Sequence, residues 1–190
     1  MKYFKKLVGE NIYLSPRSAA EKEDVELFTE WLNDFETTDY IGRTSQMISI
    51  EAEKEYLEKT SNTDVSFLII RKSDDTLIGT IGLEQIDYIN RIATLGIFIG
   101  EKTDRSKGYG TEAIKLLLDF AFNYLNLNNV KLDLLAINER ALACYKKCGF
   151  KEYGRRRKCR YINGKYYDII SMDILSEEFK EDYIKNKHIK

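Results

Sequence analysis

The residues best placed to do chemistry lie between 105 and 111. Arg105, Ser106, Lys107, Gly108, Tyr109, Gly110 and Thr111 form a glycine-containing turn that runs straight into an amphipathic segment. Glycines let the chain turn its N–H groups to one side, and the first N–H groups of a helix have no intrahelical acceptor. The helix dipole adds about half a positive charge at that end. Such a loop binds anions, with pyrophosphate as its natural guest, and Arg105 and Lys107 add charge beside it. The P-loop reading fails, because Thr111 and Glu112 stand where Lys and Ser/Thr should follow the second glycine. GYGTEA matches the dinucleotide fingerprint G-x-G-x-x-A in form, yet that motif needs a strand directly before it, and mostly charged residues from Glu101 to Lys107 intervene. A helix-entry turn with no ligand is the plainer alternative.

Two further patterns bear on the choice. Arg105 to Gly110 reads R-x-x-G-x-G, which resembles the coenzyme A loop of the GNAT superfamily of N-acetyltransferases. Downstream, Asn138-Glu139-Arg140-Ala141, then Tyr145, then Cys148-Gly149-Phe150 resemble the N-x-x-A…Y…GF signature of the same superfamily. Within it, the chain from the LSPR strand to YINGKYYDIISM is similar to the RimJ/RimL-like ribosomal-protein alanine/serine acetyltransferases. The run from DYINR to YINGKYYD is also similar to bacterial spermidine acetyltransferases. The resemblance covers about residues 8–176.

What the resemblance implies is an acetyl-CoA-dependent N-acetyltransferase that acts by direct attack in a ternary complex, with acetyl-CoA as cosubstrate and no metal. The N–H groups from Arg105 to Thr111 would take the pyrophosphate. The thioester would lie along Ile97, Phe98 and Ile99, where a backbone N–H meets the developing oxyanion. Asn138 would hydrogen-bond the pantetheine arm, with Ala141 beside it. Tyr145 is the expected general acid, since a phenol of pKa ~10 can protonate a thiolate whose parent thiol sits near ~8.5. Glu84 is the expected base, on the strand before the donor strand, with Asp87 second. The acceptor is a small-molecule or peptide amine: a protein N-terminus, a polyamine or an antibiotic amine. Its pocket is expected from the FETTDYIGR stretch, the helix after it and the DYINR turn. A non-catalytic coenzyme A-binding module is the alternative of another class.

These residues need a frame, and the chain's periodicities supply one. NIYLSPR reads as a short strand, and Ser18 with Glu21 forms a capping-box pattern ahead of a helix that carries Val25, Phe28 and Leu32 and ends near Asn33 and Asp34. FETTDYIGRTSQ reads as a loop, and Ser49 caps a short helix over EAEKEYLEKT. VSFLIIR, TLIGTIGLEQI and RIATLGIFIG form an antiparallel meander. TEAIKLLLDFAFNYLNL is the clearest helix, with Ile114, Leu117, Leu118, Ala121 and Phe122 on one face and the Phe120 and Tyr124 rings read as core. VKLDLLA, the helix ERALACYKKCG and FKEYG give a strand, helix, strand order that predicts a parallel pair, and Asn163-Gly164 marks a final hairpin. The expected fold is α/β (α+β): a GNAT-like domain over residues 1–190 with a polar tail at 177–190. Its mixed, mostly antiparallel sheet has about seven strands and about four helices, with one parallel pair splayed at the donor site.

Composition excludes several other classes. Thirty Lys+Arg against 31 Asp+Glu leave a formal net charge of −1, which removes the electrostatic case for direct nucleic-acid binding. The basic run Arg155-Arg156-Arg157-Lys158 with Arg160 reads as a solvated strand face. No apolar run approaches the ~18 residues of a membrane span, and the first residues lack the apolar stretch of a signal peptide, so a cytoplasmic location is expected. Cys144, Cys148 and Cys159 show no CxxC spacing, and His188 is the sole histidine, far from them in sequence. Neither disulfides nor zinc are expected, and Cys144 and Cys148, at i and i+4, read as helix packing. A homodimer stays open.

Overall fold

The computed structural model describes residues 3–16, 22–60 and 65–187. Its elements in chain order are β1 (Leu7–Val8), β2 (Ile12–Pro16), α1 (Lys22–Asn33), α2 (Phe35–Ile41), α3 (Ile50–Thr60), β3 (Val65–Arg71), β4 (Thr76–Asp87), β5 (Ile92–Ile99), α4 (Tyr109–Asn123), β6 (Asn129–Leu135), α5 (Glu139–Lys147), β7 (Lys151–Ile162) and β8 (Lys165–Leu175). The eight strands form one mixed sheet in the order β1-β2-β3-β4-β5-β6-β8-β7. The proposed capping box at Ser18 and the lone His188 lie outside the described residues.

Two apolar layers sandwich the sheet. On one face Ile69, Ile81, Leu83 and Leu95 pack against Ala113, Ile114, Leu117 and Ala121 of α4 and against Tyr145 and Phe150. On the other, Tyr13, Leu68, Ile70 and Leu77 meet Val25, Phe28 and Trp31 of α1 and Leu57 of α3. Leu68 and Ile70 belong to one layer and Phe67 and Ile69 to the other, which is the two-residue alternation of a strand covered on both sides. β7 closes the sheet as an exposed edge, with Arg155, Arg156, Arg157, Lys158 and Arg160 in water, the solvated face expected and one that blunts edge pairing.

The meander β3-β4-β5 and the terminal hairpin form as read. At the hairpin turn both Asn163 and Gly164 take positive φ, 47° and 78°, the left-handed pair that a two-residue turn needs. The parallel pair is elsewhere than the local order predicts. β6 and β7 are not neighbours, because β8 inserts between them antiparallel to both. β5 and β6, joined through α4, are the parallel pair. Counts change too. The two-residue β1 is too short to give a periodic signal, FKEYG and RRRKCRYI fuse across bulges into β7, and α2 folds from the stretch read as a loop.

Two local readings shift. Asp34 caps α2 rather than ending α1, accepting from Thr37 N at 3.0 Å, and Gly42 closes α2 at φ 69°. Tyr124 is exposed and stacks on the half-buried Phe120, so only the latter belongs to the core. The segment read as a polar tail is also tied down. Asp119, fully buried on α4, accepts from the backbone N–H of Tyr183 and Ile184 and pairs with Lys187 Nζ at 2.7 Å. Ile184 joins the core, while Asn186 and Lys185 bond to Lys6 and Val8. No described helix is long and apolar enough to cross a membrane.

Candidate functional site: an open strand edge between two cavities

β5 and β6 pair only from Ile92–Thr94 to Asn129–Lys131. Beyond Thr94 they diverge, so the edge of β5 from Leu95 to Ile99 meets no strand on that side and its N–H and C=O groups open into a cleft. That cleft, ≈ 540 Å³, is lined by Leu95 to Ile99 of β5, by Arg105, Ser106, Gly108, Gly110 and Thr111, and by Asn138, Ala141, Cys144 and Tyr145 around α5. The sequence signals separated by some forty residues therefore converge on one groove.

The loop at its mouth has the shape the anion reading requires. Ser106 and Gly108 take φ of 62° and 89°, successive left-handed kinks that turn the chain into α4. Among the described residues, no acceptor is found for the N–H groups of Ser106 through Thr111, and the first bond of α4 runs from Glu112 N to Gly108 O. A β-carbon on Gly110 would project between Ile97, Ile99 and the Cys144 sulfur, at 3.9–4.0 Å from each. The small residue at 110 thus keeps the groove open.

The charged side chains of the loop do other work. Arg105 turns inward, its guanidinium donating to Ile99 O, Gly100 O and Thr37 Oγ1, the last at 2.7 Å. It fastens α2 to the end of β5 while it still lines the groove. Lys107 leans on the buried Asp104, which Arg71 also holds, and neither Lys107 nor Tyr109 lines the groove. Asn138 is an N-cap: its Oδ1 accepts from Ala141 N at 3.0 Å and its Nδ2 donates to Tyr40 O. α2 is thereby held at both ends as a roof over the groove, a function invisible while FETTDYI reads as a loop.

Tyr145 is the buried residue of α5, packed edge-on against Phe150 and lining the groove. Its phenol has no hydrogen-bond partner among the described residues. Burial, reinforced by Cys144 and Cys148, pushes its pKa well above the usual phenol value, so it keeps its proton at neutral pH.

A second cavity of ≈ 360 Å³ lies on the α1/α3 side of the same strand. Its walls include Thr80, Glu84, Arg43, Glu53 and Tyr56, and it shares Ile41, Gly96, Ile97 and Phe98 with the groove. The Glu84 carboxylate reaches over β5, with Oε1 3.8 Å from where a β-carbon on Gly96 would stand. Asp87 and the rest of the DYINR turn line neither cavity. Asp87 accepts from the N–H groups of Ile89 and Asn90, and the Asn90 contact foremost lowers its pKa, so its carboxylate is engaged in the turn. Glu53 and Tyr56 were missed in the sequence. The available signal was their helical phase, since Glu53 stands one turn before the buried Leu57.

The strand β5 thus has a groove on one flank and, on the other, a cavity whose walls carry Glu53 and Glu84. Residues 17–151 match the model of the acetyltransferase (GNAT) domain, and the chain belongs to that family. It is 33% identical over 111 residues to a spermidine N(1)-acetyltransferase of Vibrio cholerae, a match spanning 58% of this chain and 64% of the relative. A putative ribosomal N-acetyltransferase of Bacillus subtilis, YdaF, is 34% identical over 107 residues, 56% of this chain and 58% of the relative. The chain thus spans less than two thirds of each of these two. A probable N-acetyltransferase of Bacillus subtilis, YjcK, is 32% identical over 180 residues, covering 90% of this chain and 98% of the relative. Among solved structures, spermidine N-acetyltransferase from Vibrio cholerae in complex with CoA and spermine superimposes with a TM-score of 0.78 at 28% identity, over 89% of this chain and 98% of that one.

Proposed function

We propose that the chain transfers the acetyl group of acetyl-CoA to a primary amine by direct attack, the donor lying in the larger groove and the amine entering from the smaller cavity. The observation that carries this reading is the shared wall Gly96-Ile97-Phe98, where two substrates can meet without leaving their own binding surfaces. In this reading the N–H groups of Ser106 to Thr111 take the donor's pyrophosphate, and the open edge of β5 takes its amide arm. The amine nitrogen forms the new bond to the thioester carbon. A β5 N–H, preorganised by the sheet, meets the oxyanion, a contribution commonly worth about 3 kcal/mol in a dry site. As the carbon–sulfur bond breaks, Tyr145, kept protonated by burial, supplies the proton the thiolate needs. Glu84, beside Gly96, orients the amine and receives its proton. Arg105, Asn138 and α2 act as positioning residues.

For the acceptor we favour the α-amine of a peptide or protein, in keeping with a RimJ/RimL-like assignment. Such an amine has a pKa near ~7.7–8.0 and is partly nucleophilic at neutral pH, whereas a polyamine nitrogen near ~10.4 must be deprotonated and calls for clustered carboxylates. Of Glu36, Asp39, Glu84 and Asp87, only Glu84 lines the cavity, and Arg43 beside it disfavours a polycation. One observation favours the polyamine reading: Glu53 adds a second carboxylate to the same wall. The test is thiol release from acetyl-CoA with spermidine, aminoglycosides and short peptides bearing free Ser or Ala N-termini. The expected result is the highest kcat/KM for a peptide. A spermidine value about tenfold above every peptide would move the acceptor to polyamines. Tight acetyl-CoA binding with no turnover on any amine would make the chain a coenzyme A-binding module.

A further inference from the structure

Two charged side chains in the walls of the smaller cavity, Arg43 and Glu84, have no partner among the described residues. Arg43 follows the cap of α2, and its main chain is fixed on both sides: its N–H donates to Thr38 O at 3.1 Å and its C=O accepts from Gln46 N at 2.9 Å. Its guanidinium is left without a hydrogen bond or an ion pair. Glu84 is placed as firmly, at the last regular pair of β4 with β5 before the bulge in which Gln85 takes a φ of 51°. Its carboxylate is equally unengaged, whereas Glu53 in the same cavity already has a partner. No ion pair joins Arg43 to Glu84. Opposite charges carried on a fixed main chain, sharing one cavity without neutralising each other, suit a guest that bears both signs.

We propose that the acceptor carries a carboxylate close to its reactive amine, with Arg43 taking the carboxylate and Glu84 facing the amine. The inference rests on the reading that the amine enters through this cavity. Gly96 marks the seat of the nitrogen, since a β-carbon there would meet only Glu84 Oε1, at 3.8 Å, and the space over the strand is otherwise open. A guanidinium binds a carboxylate through two parallel N–H donors, a stronger contact than a neutral pair makes. An amine that lacks the carboxylate strips water from Arg43 and returns nothing, and one with a second cation nearby meets a like charge. At ≈ 360 Å³ the cavity is at the small end of ligand pockets, which span ~300–1,000 Å³, so the carboxylate must lie near the amine. Two sources carry this chemistry: the N-terminus of a protein whose second residue is Asp or Glu, and a free amino acid.

The experiment measures thiol release from acetyl-CoA with peptides alike except for Asp, Gln or Lys at the second position, and with free serine against serinamide. The expected kcat/KM is about tenfold or more higher for the Asp peptide than for the Gln peptide, and lowest for the Lys peptide. Serine ahead of both serinamide and the Asp peptide would assign the carboxylate to a free amino acid, and the Asp peptide ahead of serine would assign it to a protein N-terminus. Arg43→Glu should invert the peptide series so that the Lys peptide leads, an outcome that a loss of packing would not produce. Equal rates for the three peptides and for serine and serinamide, or an order that Arg43→Glu leaves unchanged, would overturn the proposal while the transfer reading stands. Spermidine ahead of every carboxylate-bearing amine would overturn it too. Thiol release with no amine at all would remove the transfer reading instead, and calorimetric Kd values for the same peptides would then decide the carboxylate preference.

Discussion

The larger groove and the smaller cavity lie back to back on β5, yet they are built by different means. The groove is made of backbone: an unpaired strand edge, a left-handed kink at Ser106 and Gly108, and the free N–H groups of a helix start. The cavity is made of side chains, Glu53 and Tyr56 from α3, Glu84 and Thr80 from β4 and Arg43 after α2. Backbone geometry needs particular residues at fixed spacing, and on the proposed function it would hold a part of the donor that does not vary. Side-chain walls can change one residue at a time without disturbing the strand beneath them. On the proposed function, the difference would put acceptor choice in the side chains that α3, β4 and Arg43 lend to the smaller cavity.

If that division is right, substitutions on the two sides should separate kinetically. The largest effect is expected at the meeting point. Tyr145→Phe should lower kcat by about 10²-fold and leave acetyl-CoA affinity unchanged by calorimetry, with no loss of stability because no partner is orphaned. Unchanged turnover would assign the proton to another group. Next, Gly110→Val should fill the groove between Ile97, Ile99 and Cys144, raising the acetyl-CoA Kd by about tenfold or more in a protein with native circular dichroism. An unaltered Kd would break the backbone half of the comparison. Glu84→Gln should cost about tenfold in kcat/KM for the amine while the KM for acetyl-CoA holds, and a matching rise in both would break the side-chain half.

The smallest effect sharpens the role of the roof. Asp34→Ala removes the cap of α2 and should lower unfolding stability by about 1 kcal/mol, read from urea titrations. The Thr37 side chain is the main cause that lowers the Asp34 pKa, so the folded state favours the ionised form. Its contribution is thus complete above the ordinary carboxylate value of ~3.9 and fades as pH falls through the lowered folded value. Wild type and variant should differ at neutral pH and converge in acid.

The sequence made the groove readable for a reason. The turn from Arg105 to Thr111 and the α5 signature work through local backbone geometry, and local geometry leaves fixed spacings. What it hid was the fate of side chains. Arg105 carries the charge expected of an anion site, yet its guanidinium is spent on Ile99, Gly100 and Thr37, partners chosen by tertiary packing. Asn138, expected as a ligand-binding amide, also caps α5 and donates to Tyr40 O, contacts that a spacing does not reveal. α2 was missed because seven residues with two threonines give no clear apolar period, although Asp34 and Gly42 mark its ends. The parallel pair was misplaced because β6-α5-β7 and β5-α4-β6 have the same local order, and only β8, arriving last in the chain, decides which strands touch.

The stitching of Lys185 and Asn186 to Lys6 and Val8 brings the segment that follows β8 against the start of β1, at one spot on the surface. A short linker could join them there, and the chain could be reopened at Asn163-Gly164, a turn that protrudes from the edge of the sheet and lines neither cavity. Such a circular permutant would preserve the unbroken run from α1 to α5 that supplies every residue lining the two cavities except Arg160 and Ile169. It would also make the paired strands β7 and β8 end in the two new chain ends, each a point of fusion for a reporter placed away from β5.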